Sequence, residues 1–208
     1  MSEGDAVYGV RPATADDLEW IFRLEIEAYS AEYAVARAKL DEWYCANPEG
    51  FSVVTLGGER VGQITMLPLR PALLEGFNRG TVLEQDIQGA SLYTPAERAL
   101  VRNLHAESII LRSHGGRSTP LKALMCLGHN FLHLIRRVCE PSNLDNVYAL
   151  GASGRGESFM MGLGFTRAAS AHDEASPRRL YVANFSTLKD NIAQLYQRRI
   201  GKTKTESA

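Results

Sequence analysis

Residues 107–125, ESIILRSHGGRSTPLKALM, set a strand-like apolar run directly before two adjacent glycines and a helix that opens on proline. Gly115 and Gly116 permit backbone conformations closed to other residues and let a bulky partner approach the main chain. Ser118 or Thr119 then caps the helix, and Pro120 suits its first turn because the missing N–H would have no internal acceptor there. Unpaired amide donors at the positive end of a helix dipole make an anion site, which Arg112 and Arg117 strengthen toward a diphosphate. The same residues also fit an ordinary capped connection between a strand and a helix.

The elements around this turn follow from periodicity and breakers. YGVRPAT (8–14) reads as a strand, and Thr14 with Asp17 forms a capping box before a helix over about 15–29, whose Leu18, Ile21, Phe22, Ala28 and Tyr29 keep helical spacing. A second helix, 34–46, stops before Asn47-Pro48. FSVVTLG (51–57), the Gly57-Gly58 turn and RVGQITMLPL (60–69) make a hairpin. The stretch 70–103 is irregular and reads as an insertion, with TPAERALVRN capped by Thr94 and Pro95. Next come a strand at 104–111, the turn, a long helix from Pro120 to about Cys139, a strand at 145–152 and a short helix, GESFMMGL. A strand at 179–185 and a final helix capped by Ser186 complete the chain. The reading is one α/β domain over 8–200: a mixed, mostly antiparallel sheet flanked by helices, with an insertion before the fourth strand and a C-terminal helix. Residues 1–7 form a leader, and 201–208 a disordered tail.

Composition narrows the function. Across 208 residues, 23 Lys plus Arg against 24 Asp plus Glu give no electrostatic case for a nucleic-acid or membrane-surface protein. Cys45, Cys126 and Cys139 are an odd count without CxxC spacing, which suits a reducing cytoplasm and argues against a disulfide framework or thiolate zinc site. His129 and His133 lie one helical turn apart, but with no third ligand nearby they read as part of a wet helix face. No metal is expected.

From YGVRPATADDLEWIFRLEIEAY through the hairpin and long helix to ESFMMGLGF, roughly residues 8–185, the chain resembles the GCN5-related N-acetyltransferase (GNAT) superfamily. VRPATADDL is similar to that superfamily's first strand and helix. ESIILRSHGGRSTPLKALM stands where its acetyl-CoA motif lies, and ESFMMGLGF resembles its Gly-Phe ending. The resemblance implies acetyl-CoA as cosubstrate and an amine acceptor. The usual cradle, Gln/Arg-x-x-Gly-x-Gly/Ala, is degenerate here. Arg112 and Gly115 fit with Arg117 replacing the last small residue, or a gap-free alignment begins at Gly116. The cradle is therefore carried over as Arg112, Gly115, Gly116, Arg117, Ser118 and Thr119, with Ile109, Ile110 and Leu111 running along the pantetheine. Ser153 and Phe159 face the same group, and Arg155 suits either a phosphate or solvent.

Acetyl transfer to an ammonium needs a base, an oxyanion donor and a proton for the departing thiolate. His105 and Glu107, with Ile109 and Leu111, share one strand face by period two and are the candidate bases, Glu107 slightly preferred. Either residue equally fits a plain structural pairing with the insertion or a neighbouring strand. The family's tyrosine acid falls on Met160, which donates no proton. Ser158 and Tyr148 stand as substitutes. The alternative is a non-catalytic relative that binds acyl-CoA as a sensor or interaction module. The insertion is expected to form a lid or wall of the acceptor site, where Glu75, Glu84, Asp86 and Glu97 suit a cationic acceptor or solvent. The final helix fits either its own domain or a second copy in a homodimer.

Overall fold

The computed structural model describes residues 7–31, 33–112, 119–151, 153–168 and 179–205. Its seven strands are β1 (Tyr8–Pro12), β2 (Phe51–Leu56), β3 (Glu59–Pro68), β4 (Asn103–Leu111), β5 (Asn146–Gly151), β6 (Thr166–Arg167) and β7 (Arg179–Asn184). Its helices are α1 (Leu18–Tyr29), α2 (Arg37–Ala46), α3 (Pro71–Asn78), α4 (Thr119–Val138), α5 (Gly154–Gly162) and α6 (Phe185–Thr205). The strands form one mixed sheet in the order β1-β2-β3-β4-β5-β7-β6, antiparallel throughout except for the β4–β5 pair. This is the expected α/β architecture. One apolar cluster packs Ile64, Met66 and Leu104 against Leu134, Ile135 and Val138 of α4 and Leu188 of α6. Another packs Phe51, Val53 and Leu67 against Ile21 of α1 and Leu40 and Trp43 of α2, with Leu74, Phe77, Ile87 and Leu92 of the insertion joining it.

Local chemistry explains most boundaries. Thr14 N–H donates to Asp17 Oδ2 (2.8 Å), and Arg11 pairs with the same carboxylate at 2.7 Å, so the capping box is present and sits on a 3-10 turn, Ala15–Asp17, that leads into α1. Thr94 and Glu97 make a second box, over the 3-10 helix Pro95–Leu100. Three expectations are corrected. The cap of α6 is Asn184, whose Oδ1 accepts from the Ser186 (3.0 Å) and Thr187 (3.4 Å) amides, so Ser186 lies inside the helix. That helix runs on to Thr205, into the tail expected to be disordered. The short β6, two residues long, carries too little periodicity to be read from sequence.

A further correction bears on the site. In the β3–β4 ladder Thr65 faces Ser108 while Met66 faces Ala106, so Glu107 is an extra residue in a β-bulge. The bulge breaks the alternation that would have put His105 and Glu107 on one face with Ile109 and Leu111. His105 lies opposite Leu67, Ser108 opposite Thr65 and Ile110 opposite Gln63, all on the face covered by α1.

The insertion is tied down as a wall. The buried Trp43 indole N–H donates to the Ile87 carbonyl (2.8 Å), and Asn47 Nδ2 donates to that of Tyr93 (2.7 Å). The Gly89 amide donates to Glu42 Oε1 (2.6 Å), and Arg70 holds Glu97 at 2.8 Å. Replacing Trp43 with Phe keeps the apolar ring but leaves a buried carbonyl without its donor. The expected cost is about 1–3 kcal/mol of unfolding free energy, read from urea denaturation.

Candidate functional site

β4 serves two neighbours unequally. Its ladder to β3 runs from Leu104 to Leu111, but its parallel pairing with β5 covers only Asn103↔Asn146 to Ala106↔Ala149. Leu150 and Gly151 go on pairing with β7 alone. The two central strands therefore part at their C-terminal ends. The Arg112 amide donates to the Val61 carbonyl (2.8 Å), which fixes the phase of the antiparallel ladder. Alternation then turns the backbone groups of Ser108 and Ile110 toward β3 and those of Ile109 and Leu111 toward the opening. Because β4 and β5 are parallel, their C-terminal ends share one edge of the sheet, and α4 and α5 are the next helices after them in the chain. Ser153 caps α5 by accepting the Gly156 amide (3.1 Å).

On the α1 face, beside the parting strands, lies a buried polar cluster that the sequence reading did not assemble. Glu25 of α1, Gln63, Thr65, His105 and Ser108 of the sheet and Glu84 of the insertion are all buried there, and Glu107 is buried at the bulge. Gln63 Nε2 donates to Glu25 Oε1 (3.1 Å) and to Ser108 Oγ, while Thr65 Oγ1 donates to Gln63 Oε1 (2.9 Å). Ser108 Oγ donates to Glu25 Oε1 (3.4 Å), and the Val35 amide donates to Glu25 Oε2 (3.3 Å), which clasps the α1–α2 connection onto the cluster. Neutral donors alone hold this carboxyl. Burial, reinforced by the nearby Glu84 carboxylate, pushes the Glu25 carboxyl up to about 7. His105 Nε2 meets Glu84 Oε1 at 2.6 Å, and Phe77 lies edge-on to the imidazole with ring centroids 5.0 Å apart. Tyr148 of β5 stands opposite His105 on the same face.

The structure sets His105 beside Glu84 and buries Glu107 at the bulge, with the backbone groups of Ile109 and Leu111 facing the opening and those of Ile110 turned to β3. Ile109 is exposed. Arg112 is committed elsewhere. Its guanidinium pairs with Glu27 of α1 (2.6 Å) and lies over Trp20 at 5.8 Å. Gly115, Gly116, Arg117 and Ser118 lie outside the described residues, and Thr119 is described only as the first backbone position of α4. Ser158 is exposed on α5, donating to the Gly154 carbonyl of its own helix (2.8 Å), and so stands apart from the buried cluster. Phe159 is exposed, and Met160 packs into the core beside α4. The insertion's acids are engaged within the chain. Glu84 meets His105, Glu97 meets Arg70, Glu75 meets Arg79, and Asp86 accepts the Leu83 amide (2.9 Å). Among the described residues no group of three or more His, Cys, Asp or Glu is arranged to hold a metal, and no helix is long and apolar enough to cross a membrane. Glu25 was legible in principle, as a carboxylate four residues after Ile21 on the apolar stripe of α1.

No protein-family model matches the chain, and no curated protein matches it by sequence. Solved structures match it in fold. The GphF GNAT-like decarboxylase in complex with isobutyryl-CoA superposes with a TM-score of 0.56 at 16% identity, over 85% of this chain and 99% of that one. The loading GNATL domain of CurA from Lyngbya majuscula gives 0.53 at 14% identity, over 86% of this chain and 98% of that one. The N-acetylglutamate synthase from Neisseria gonorrhoeae, complexed with coenzyme A and N-acetyl-glutamate, gives 0.52 at 13% identity, over 88% of this chain and 36% of that one.

The raised Glu25 carboxyl makes a stability prediction. The folded chain keeps this proton up to about pH 7, whereas the unfolded chain releases it near the ordinary 4.5. The stabilisation is complete below 4.5 and is lost as pH rises through 7. Urea midpoints should show the parent losing on the order of 1–3 kcal/mol between pH 5 and pH 8, with that part of the slope absent in Glu25→Gln. Identical slopes in the two proteins would remove Glu25 from the argument.

Proposed function

This chain has the GCN5-related N-acetyltransferase fold, and from that premise we propose that it is an acyltransferase moving an acetyl group from acetyl-CoA to a primary amine by direct attack in a ternary complex. The observation that carries the reading is the parting of β4 from β5 after Ala106. It leaves main-chain donors and acceptors at Ile109 and Leu111, spaced as the amides of an extended pantetheine arm require. The N-termini of α4 and α5, the next helices after these strands, suit the diphosphate. Two solved neighbours of this fold hold CoA species, isobutyryl-CoA in one and coenzyme A in the other.

The amine side of the reaction falls to the α1 face. The Glu84 carboxylate lies there beside His105, a setting that favours a positive charge. His105 or Glu107, both on the strand that carries the thioester, takes the first proton from nitrogen. The freed lone pair attacks the thioester carbonyl, and the carbon–sulfur bond breaks as the second proton leaves with the thiolate. Met160 supplies no acid, so that proton passes directly or through Tyr148 beside His105.

Thiol release from acetyl-CoA across a panel of amines is the expected result. Tight CoA binding with no turnover on any amine would favour the non-catalytic acyl-CoA-binding alternative, and no CoA affinity at all would remove both readings. A backbone test accompanies it. Ile109→Pro deletes an amide facing the opening and spares the ladder to β3. By calorimetry it should weaken acetyl-CoA binding by roughly 3- to 10-fold, with little change in thermal midpoint.

A further inference from the structure

Glu84 brings the insertion into polar contact with the sheet, and that contact leaves a nitrogen over. His105 is completely buried, with Nε2 at 2.6 Å from Glu84 Oε1 and Nδ1 buried without a hydrogen-bond partner among the described residues. A carboxylate accepts, so the short Nε2 contact requires the proton on Nε2. Nδ1 of the neutral ring is then a bare acceptor shielded from water. An unsatisfied lone pair in such a place costs less than an unsatisfied N–H of an imidazolium, yet it is still a cost that nothing in the packing explains.

We propose that Glu84 is a positioning residue for the transfer reaction: it fixes the Nε2–H tautomer of His105 and leaves Nδ1 as the acceptor of the amine's first proton. This rests on the acyltransferase reading and assigns the insertion a part in it. The ammonium N–H bond breaks, its proton moves to Nδ1, and the nitrogen lone pair becomes free to attack the thioester. The imidazolium so formed is stabilised by the Glu84 carboxylate at the opposite nitrogen, and it returns its proton to solvent after the acetylated product leaves. Phe77 edge-on to the ring keeps the imidazole from rotating away. The titratable groups on the neighbouring elements are Glu25 of α1, which feels the Glu84 carboxylate, Glu107 two positions along β4, and Tyr148, opposite His105 on β5. The sequence alone hides the pairing, because Glu84 and His105 are 21 residues apart across an irregular segment.

Two measurements on the full chain test it. Nitrogen-15 NMR of the histidine side chains, in buffer without acetyl-CoA, should show His105 protonated at Nε2 and bare at Nδ1, with that preference lost in Glu84→Gln. A dominant Nδ1–H signal in the parent overturns the proposal whatever the enzyme does. In the transfer assay, Glu84→Gln should lower kcat by about 10- to 100-fold at unchanged KM for acetyl-CoA and move the acid limb of the pH profile to lower pH. Glu84→Asp should recover part of the loss, and His105→Gln should abolish that limb. A Glu84→Gln protein with parental kcat and pH profile would overturn it as well. If no amine is acetylated by the parent, the acyltransferase reading fails on its own account, while the NMR arm still decides the tautomer.

Discussion

A single strand must satisfy two neighbours that leave it at different points. β4 keeps an antiparallel ladder with β3 to its C-terminal end, but its pairing with β5 stops at Ala106. A row of main-chain groups in the middle of a sheet is thereby left without a strand opposite, an arrangement that costs free energy unless water or a ligand pairs with them. The bulge at Glu107 belongs to the same event. His105 and Ser108 are three positions apart and would point to opposite faces of a regular strand. The extra residue restores them to one face, beneath α1. Opening and polar cluster thus arise from one irregularity.

What lies on that face is held by neighbours that are themselves fixed. Glu25 is satisfied by an amide, a hydroxyl and a carboxamide, none of them charged, so its carboxyl keeps its proton until near neutrality. Each of those donors is buried and needs the carboxyl in return, since a stranded buried polar group costs about 1–3 kcal/mol. The insertion follows the same logic. Trp43, Asn47 and Glu42 anchor its backbone to α2 and the turn after it, and Phe77, Ile87 and Leu92 fill the core beneath it. With the backbone so held, Glu84 meets His105 at a fixed distance rather than as one of many loop conformers.

The elements were legible because their signals are local. Alternation in 51–57 and 60–69, the Gly57-Gly58 turn, Pro48 and the Thr14 and Thr94 boxes each act over a few residues, and each appears in the fold. The site was less legible, since its decisive features are not local. No glycine marks the bulge at Glu107. Its place is set by where Thr65 and Met66 fall on β3, more than 40 residues earlier, so a period-two reading carried straight through it. Glu25 and Gln63 did leave a trace, as polar residues on an apolar helix stripe and in a buried strand, but a trace of that kind names a burial and not a partner. His105 and Glu107 were named as candidates because residue type singled them out. The partner Glu84 was visible only as one of four insertion acids.

The fate of Arg112 separates what side chains do from what the main chain does. It stood first in the expected anion cradle, yet its guanidinium is spent on Glu27 and on the face of Trp20. A diphosphate at this edge would then depend chiefly on amide donors at the starts of α4 and α5, which any sequence supplies once the strands end where they do. Proton transfer has no such freedom. It needs particular side chains at particular atoms, and those lie on the opposite side of β4's alternation from the groups that face the opening. The one-residue bulge lets a single strand turn main-chain groups toward the opening and the His105 and Ser108 side chains toward α1.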